Sequence, residues 1–180
     1  MSYPLLARAL HWITAILLLV LFGLGVSMTR WIPDEQKIRV YSWHEWAGIT
    51  VFALTALRLG WRLTHRAPPI DIPAWEKAVA GLVYVGMYLV LIAQPIVGWL
   101  TSTAFGFPVV YLGLIPLPAP VSEDRALAAQ LQELHETLAI VLVLLFAAHI
   151  GGVLYHHLVR RDTVLSRMLP SVAPPPSGSA

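Results

Sequence analysis

Between Arg8 and Arg30 the chain runs for 21 residues, Ala9 to Thr29, without a formal charge. That is close to the ~20 residues a helix needs to cross a ~30 Å hydrocarbon core, and in lipid a segment of this kind has to fold as a helix, because its backbone groups find partners nowhere else. The pattern recurs. Lys77 and Glu123 bracket a 45-residue uncharged stretch. Its first half, Ala78 to Leu100, is long enough to span, and its second half is broken by Pro108, Pro116, Pro118 and Pro120 into a structured loop. Thr137 to Val159 supplies another 23 residues free of Asp, Glu, Lys and Arg, and Val40 to Leu57 a shorter run containing His44 and Glu45.

These four segments predict an all-α, integral membrane, four-helix up-and-down bundle. A composition of 57% hydrophobic and 12% charged residues lies far outside the soluble range and agrees. With 180 residues there is room for one small bundle, over 1–169, and no second domain. Residues 170–180, rich in Pro, Ser and Ala, read as a disordered tail. The first apolar run is longer than the h-region of a signal peptide and no small-residue cleavage site follows it, so the N-terminus is expected to be retained. With the N-terminus in the cytoplasm, eight Lys and Arg fall on that side and four on the other. The positive-inside rule therefore puts both termini in the cytoplasm. The seven tryptophans fall near predicted helix ends and read as an interfacial belt. Nothing in the chain calls for nucleic acid.

The chemistry follows from what is absent and from where the histidines lie. There is no cysteine, which excludes disulfides, thiolate-ligated iron, Cys-held iron–sulfur clusters and a covalently attached c-type haem. Any redox cofactor is left to His or Met. His135 and His149 are 14 residues apart, which on a helix places them within ~40° of one face and ~21 Å apart along the axis. His11 opens the first span and His44 the second, so in an up-and-down bundle these two also lie at opposite depths. His11 then pairs with His149 at the cytoplasmic side and His44 with His135 at the outer side. Two imidazoles at one depth suit the axial positions of a haem iron, which predicts two non-covalent, bis-histidine b haems.

Two residues repeat the 14-residue interval. Gly25 follows His11 by 14 and lies near the depth of the outer haem, where a missing side chain permits close backbone approach. Arg58 follows His44 by 14, near the inner haem, where a guanidinium can pair with a propionate. His156, seven residues beyond His149 and about 10 Å nearer the cytoplasm, is the candidate quinone or proton site. Glu45 reads as an interfacial, solvated carboxylate, and Pro95 as a kink in the third helix.

The residues Arg8-Ala9-Leu10-His11-Trp12, His44 with Gly48, Arg58-Leu59 with Arg62, Gln94-Pro95-Ile96-Val97-Gly98, His135-Glu136-Thr137-Leu138-Ala139, and His149 with His156-His157 together resemble the bacterial cytochrome b561 family. The similarity covers the chain apart from its tail. It implies a multi-pass protein of the bacterial inner membrane with two b haems, His11 and His149 on the inner one and His44 and His135 on the outer one. It also implies electron transfer between the periplasmic face and ubiquinone, with His156 at the quinone. Some members of that family are superoxide oxidases. A superoxide site should present cations to steer the anion, yet the outer loop from Thr101 to Gln130 carries only Arg125, set against Glu123 and Asp124. The expectation is a quinone-linked oxidoreductase. The alternative is a non-enzymatic electron-transfer subunit docking a periplasmic redox protein, and lipid is a partner in either case. A third reading, a His-lined metal transporter, lacks Cys, inward carboxylates at mid-membrane and a Met cluster.

Overall fold

The computed structural model describes residues 2–65, 69 and 71–169. The tail expected over 170–180 and Arg66, one of the eight cytoplasmic cations, lie outside them. The element order is α1 (Leu5–Arg30), α2 (Asp34–Thr64), α3 (Ala74–Ala104), a hairpin of β1 (Val110–Tyr111) and β2 (Ile115–Pro116), and α4 (Arg125–Leu154), which runs on into a π-helical turn, Tyr155–Arg160.

Local chemistry sets the boundaries. Pro4, Pro33 and Pro73 stand at the N-caps of α1, α2 and α3, where a residue without an N–H removes no helical hydrogen bond. At α4 the Asp124 carboxylate accepts from the amides of Ala126 and Leu127, two of the donors a helix N-terminus leaves unpaired. In the hairpin, Leu112 and Gly113 both take positive φ, 54° and 69°, and the Leu114 amide closes the turn on the Tyr111 carbonyl. Positive φ at both central residues matches the right-handed twist of the paired strands.

All four expected helices are present, and three of them, α1, α3 and α4 with its π-helical turn, are long and apolar enough to cross a membrane. The second is longer than the expected Val40–Leu57 run. It begins at Asp34 and carries Asp34, Glu35, Lys37, Arg39, Glu45, Arg58 and Arg62, a charge load that sets it apart from the other three. Consecutive helices pack in chain order, α1 on α2, α2 on α3 and α3 on α4. Among the described residues, no Cα of α4 comes within 8 Å of α1 or α2, so those backbones face one another across a gap.

At mid-bundle the core is a cluster of Leu18, Val51, Val90, Leu91 and Leu142, with Leu17, Leu21, Phe22, Leu138 and Leu145 packed on it. Leu18, Val51 and Leu142 each lie seven residues from a histidine of their own helix, His11, His44, and both His135 and His149. Seven residues return to nearly the same helical face about 10 Å along. An apolar plug therefore separates the layer of His11 and His149 from that of His44 and His135, named inner and outer after the expected orientation. Lipid tails are as apolar as this plug, so close packing and polar links between helices hold the bundle together more than the hydrophobic effect does. Leu5, Ile16, Leu82, Leu89, Ile140 and Leu144 are exposed on the outside, as a lipid-facing surface requires.

Candidate functional site

His11 on α1 meets His149 on α4 with ring centroids 6.2 Å apart and planes at 71°. His44 on α2 meets His135 on α4 at the same 6.2 Å and 70°. An iron held on its axis by two imidazoles, with metal–nitrogen bonds of about 2 Å as for other first-row metals, needs ring centroids about 6 Å apart. Both pairs satisfy that spacing while their helix backbones stand apart, so the residues present fit two bis-imidazole haems. Among the described residues the Nδ1 atoms of His11, His44 and His135 are buried without a protein partner.

The outer pair is seated on glycines. A Cβ at Gly25 would stand 3.6 Å from His44 Cε1, and one at Gly98 would stand 3.0 Å from His135 Cε1 and 3.3 Å from its Nδ1. Gly25 therefore lies against the His44 ring with space for an ordinary contact. Gly98 makes room for the His135 ring from α3, which contributes no histidine of its own. Gln94, one turn earlier, donates from Nε2 to the His135 carbonyl at 3.0 Å, fixing the α4 backbone where that ring leaves it.

Above the outer pair the hairpin is pinned to α2. Trp46 Nε1 donates to the Val110 carbonyl at 2.8 Å, and the hydroxyls of Thr50 and Tyr111 are 2.9 Å apart. Glu45 differs from the solvated carboxylate expected: it is half-buried, and Ser102 Oγ donates to its Oε1 at 2.7 Å. Trp46 and Trp99 depart from the interfacial belt. The first holds the hairpin, and the indole N–H of the second is buried without a partner among the described residues.

At the inner layer, the Arg58 charge acts on both His11 and His149, and its guanidinium lies 6.0 Å from the Tyr88 ring centroid. Arg62 stacks at 3.8 Å over Tyr84. His156 lies in the π-helical turn, the kind of local widening that collects at functional sites, and turns towards α3 into an ion-pair cluster. Its Nδ1 shares a 2.6 Å hydrogen bond with Asp162 Oδ2, and its Nε2 is 3.8 Å from Glu76 Oε2. Arg160 Nη1 donates to Glu76 Oε1 at 2.7 Å, and its Nε is 3.7 Å from Asp162 Oδ2. Burial works against ionisation of Asp162, but the Val164 amide, the His156 hydrogen bond and the charges of His156 and Arg160 hold its carboxyl below the ordinary value.

The chain beyond the turn folds back over this end. Arg161 takes the left-handed conformation, φ 52°. The carbonyl of Arg167 then accepts from the Tyr3 amide, that of Met168 from Trp12 Nε1, and that of Leu169 from Arg8 Nη1. Glu76, Gly98, Asp162 and the returning segment 162–169 carry no signal of their own in the spacing of apolar residues. A lone carboxylate opening an apolar span was the one legible hint for Glu76.

The description "Prokaryotic cytochrome b561" matches residues 2–171. Cytochrome b561 homolog 1 of Escherichia coli (strain K12) is 31% identical over 167 residues, covering 89% of this chain and 93% of the relative. Cytochrome b561 homolog 2 of the same organism is 32% identical over 171 residues, 93% and 90%. A protein of Yersinia pestis described as a probable superoxide oxidase CybB is 28% identical over 172 residues, 94% and 96%.

Proposed function

The chain belongs to the prokaryotic cytochrome b561 family, and on that premise we propose that it is a four-span dihaem b-type cytochrome carrying electrons across the bacterial inner membrane to the quinone pool. His11 and His149 hold the inner haem, His44 and His135 the outer one, and both termini face the cytoplasm. The observation that carries this reading is the pair of imidazole couples, each at 6.2 Å, reached across a gap between helices whose backbones stand apart.

When bound, haem supplies one-electron redox chemistry between ferric and ferrous iron. The protein's own residues supply the rest. The four histidines would hold the two haems, Gly98 lets the His135 imidazole reach its place, and Arg58 sets positive charge beside the inner layer, where it could also neutralise a propionate. The apolar plug keeps water from the space between the layers. His156, at the cytoplasmic end, is the proton-carrying residue of the site where ubiquinone is reduced.

The electron donor is superoxide or a periplasmic redox carrier. The Yersinia pestis relative favours superoxide. A specific observation favours the second reading, a subunit that docks a protein donor: the loop exposes Phe107, Leu112, Leu114 and Ile115, an apolar tip in a segment, 101–130, whose single cation Arg125 is set against Glu123 and Asp124.

Three measurements test the proposal. A pyridine haemochrome assay is expected to return two b haems per chain, and one or none ends the dihaem reading. Dithionite-reduced protein is expected to be reoxidised by a short-chain ubiquinone, more slowly in His156→Ala with both haems retained. In stopped flow, enzymatically generated superoxide is expected to reduce the haems with weak ionic-strength dependence. Failure there, beside rapid reduction by a periplasmic carrier, selects the electron-transfer subunit.

A further inference from the structure

Glu76 is an unusual residue to find at the inner end of α3. Its side chain is 5% exposed, in a helix otherwise apolar enough to cross a membrane. Arg160 neutralises one oxygen, Oε1. The other, Oε2, is buried without a hydrogen-bond partner among the described residues. An unmatched buried carboxylate oxygen costs stability wherever it serves no purpose.

Facing Oε2 is His156 Nε2, at 3.8 Å, slightly beyond hydrogen-bond range and within reach of a small side-chain movement. The other nitrogen of that ring is already bonded to Asp162, so one imidazole bridges a buried carboxylate and a more accessible one. The side-chain exposures run 5% for Glu76, 13% for His156 and 27% for Asp162, a gradient from interior to water. At the wet end, Asp162 lines a surface cleft of about 90 Å³ with Asp71, Ile72, Thr163, Val164 and Arg167. That is ample room for water. The Tyr155 ring packs edge-on against His156, and Arg160 touches both carboxylates, so the groups facing the imidazole are Asp162, Glu76, Arg160 and Tyr155.

We propose that Asp162, His156 and Glu76 form a proton relay that leads from the surface cleft to the quinone, with Glu76 as its buried terminal donor and Arg160 as a positioning residue that clamps the two carboxylates. The proposal rests on the quinone-reducing reading above and adds to it the group that delivers protons. Reducing a quinone to a quinol takes two electrons and two protons. The electrons come from the reduced cytochrome, which is oxidised in turn, and each proton ends on a quinone oxygen as a new O–H bond. In each cycle Asp162, protonated from water in the cleft, gives its proton to His156 Nδ1 as His156 Nε2 releases one to Glu76 Oε2, which passes it to a quinone oxygen. The imidazole then returns to its Nε2–H tautomer for the second proton. An imidazole suits the middle position, because it can accept on one nitrogen while donating from the other.

The test uses the detergent-solubilised, haem-loaded protein, reduced with dithionite under anaerobic conditions and mixed either with decylubiquinone or with ferricyanide, which takes an electron and no proton. Glu76→Gln keeps the size and an acceptor for Arg160 and removes the titrating oxygen. The expected result is reoxidation by decylubiquinone slowed about a hundredfold, the low end of what a positioned acid contributes, with the ferricyanide rate and haem content unchanged. Added formate, a small diffusible acid, restores the quinone rate. Asp162→Asn should slow the same reaction by a smaller factor, because water can still reach His156.

A quinone rate unchanged in Glu76→Gln overturns the relay. So does loss of both reactions together, or a slow quinone reaction that formate leaves slow, since either makes the cluster a structural clamp. Wild-type protein that ferricyanide reoxidises and decylubiquinone does not would remove the quinone reading itself, and the relay with it.

Discussion

The two glycines that seat the outer imidazoles lead to opposite expectations for the same substitution. In Gly98→Ala the new Cβ would lie 3.0 Å from His135 Cε1 and 3.3 Å from Nδ1. Ordinary contact begins at 3.4 Å, so the ring must retreat by about 0.4 Å or more. The hydrogen bond from Gln94 to the His135 carbonyl restrains the backbone behind it. Overpacking of this kind costs about 1–3 kcal/mol, roughly a 5- to 150-fold loss in affinity at the outer site. In Gly25→Ala the Cβ meets His44 at 3.6 Å, an ordinary distance, and alanine gains up to about 1 kcal/mol of helix propensity over glycine. Gly98→Ala should therefore purify with haem falling from two per chain towards one, the inner haem unaltered, whereas Gly25→Ala keeps both. Pyridine haemochrome content and low-temperature spectra of the two variants provide the comparison. A fully loaded Gly98→Ala protein with a wild-type spectrum would refute the argument, as would haem loss confined to Gly25→Ala.

Three further outcomes follow from the same geometry. His44→Ala and His135→Ala are expected to lose the same haem and His11→Ala and His149→Ala the other; potentiometric titration of the four variants checks this, and a shared loss between His11 and His135 would contradict the pairing. Arg58→Leu removes a cation beside the inner layer; because a cation favours the less positive ferrous state, the inner midpoint potential should fall by tens of millivolts while the outer one stays put. The Asp162 carboxyl is depressed from its ordinary 3.8 by its partners, so its contribution to holding segment 162–169 is present above that value and is lost as pH falls through the lower, folded-state value. Protection of the amides in 162–169 relative to their intrinsic exchange should fall below about pH 4, and protection constant from pH 6 to pH 3 would exclude Asp162 as the anchor.

Much of this layout is legible in the sequence, because a membrane limits the number of solutions. An uncharged run such as Ala9–Thr29 can only be a helix, and once four helices alternate in direction the depth of each histidine follows from its position in its own run. That is why His11 with His149 and His44 with His135 can be paired before any coordinates exist. The second helix is the harder case. Its charges lie at both ends of the apolar run, so hydropathy locates Val40–Leu57 and misses the turns on either side, where Pro33 fixes the true start. Glu45 is misread for a related reason: its partner Ser102 is 57 positions away, and periodicity along one helix says nothing about what the next one presents. Gly98 and the Glu76–Arg160 pair, 84 positions apart, belong to the same class.

The asymmetry between the two layers carries the last step. At the outer layer both imidazoles lie against a glycine, Gly98 on α3 opening space for the ring from α4 and Gly25 on α1 standing in ordinary contact with the ring from α2, and the half-buried Glu45 is beside His44 in sequence. At the inner layer, among the described residues, no glycine seats a ring, and the environment is set by Arg58 and, beyond it, by the Glu76–His156–Asp162 cluster. Under the proposed function, the Arg58 guanidinium lowers the energy of an added electron at the inner layer, because positive charge favours the reduced state. The Gly98 seat makes the outer layer the more sensitive to added volume, and Arg58 makes the inner layer the more sensitive to a change of charge.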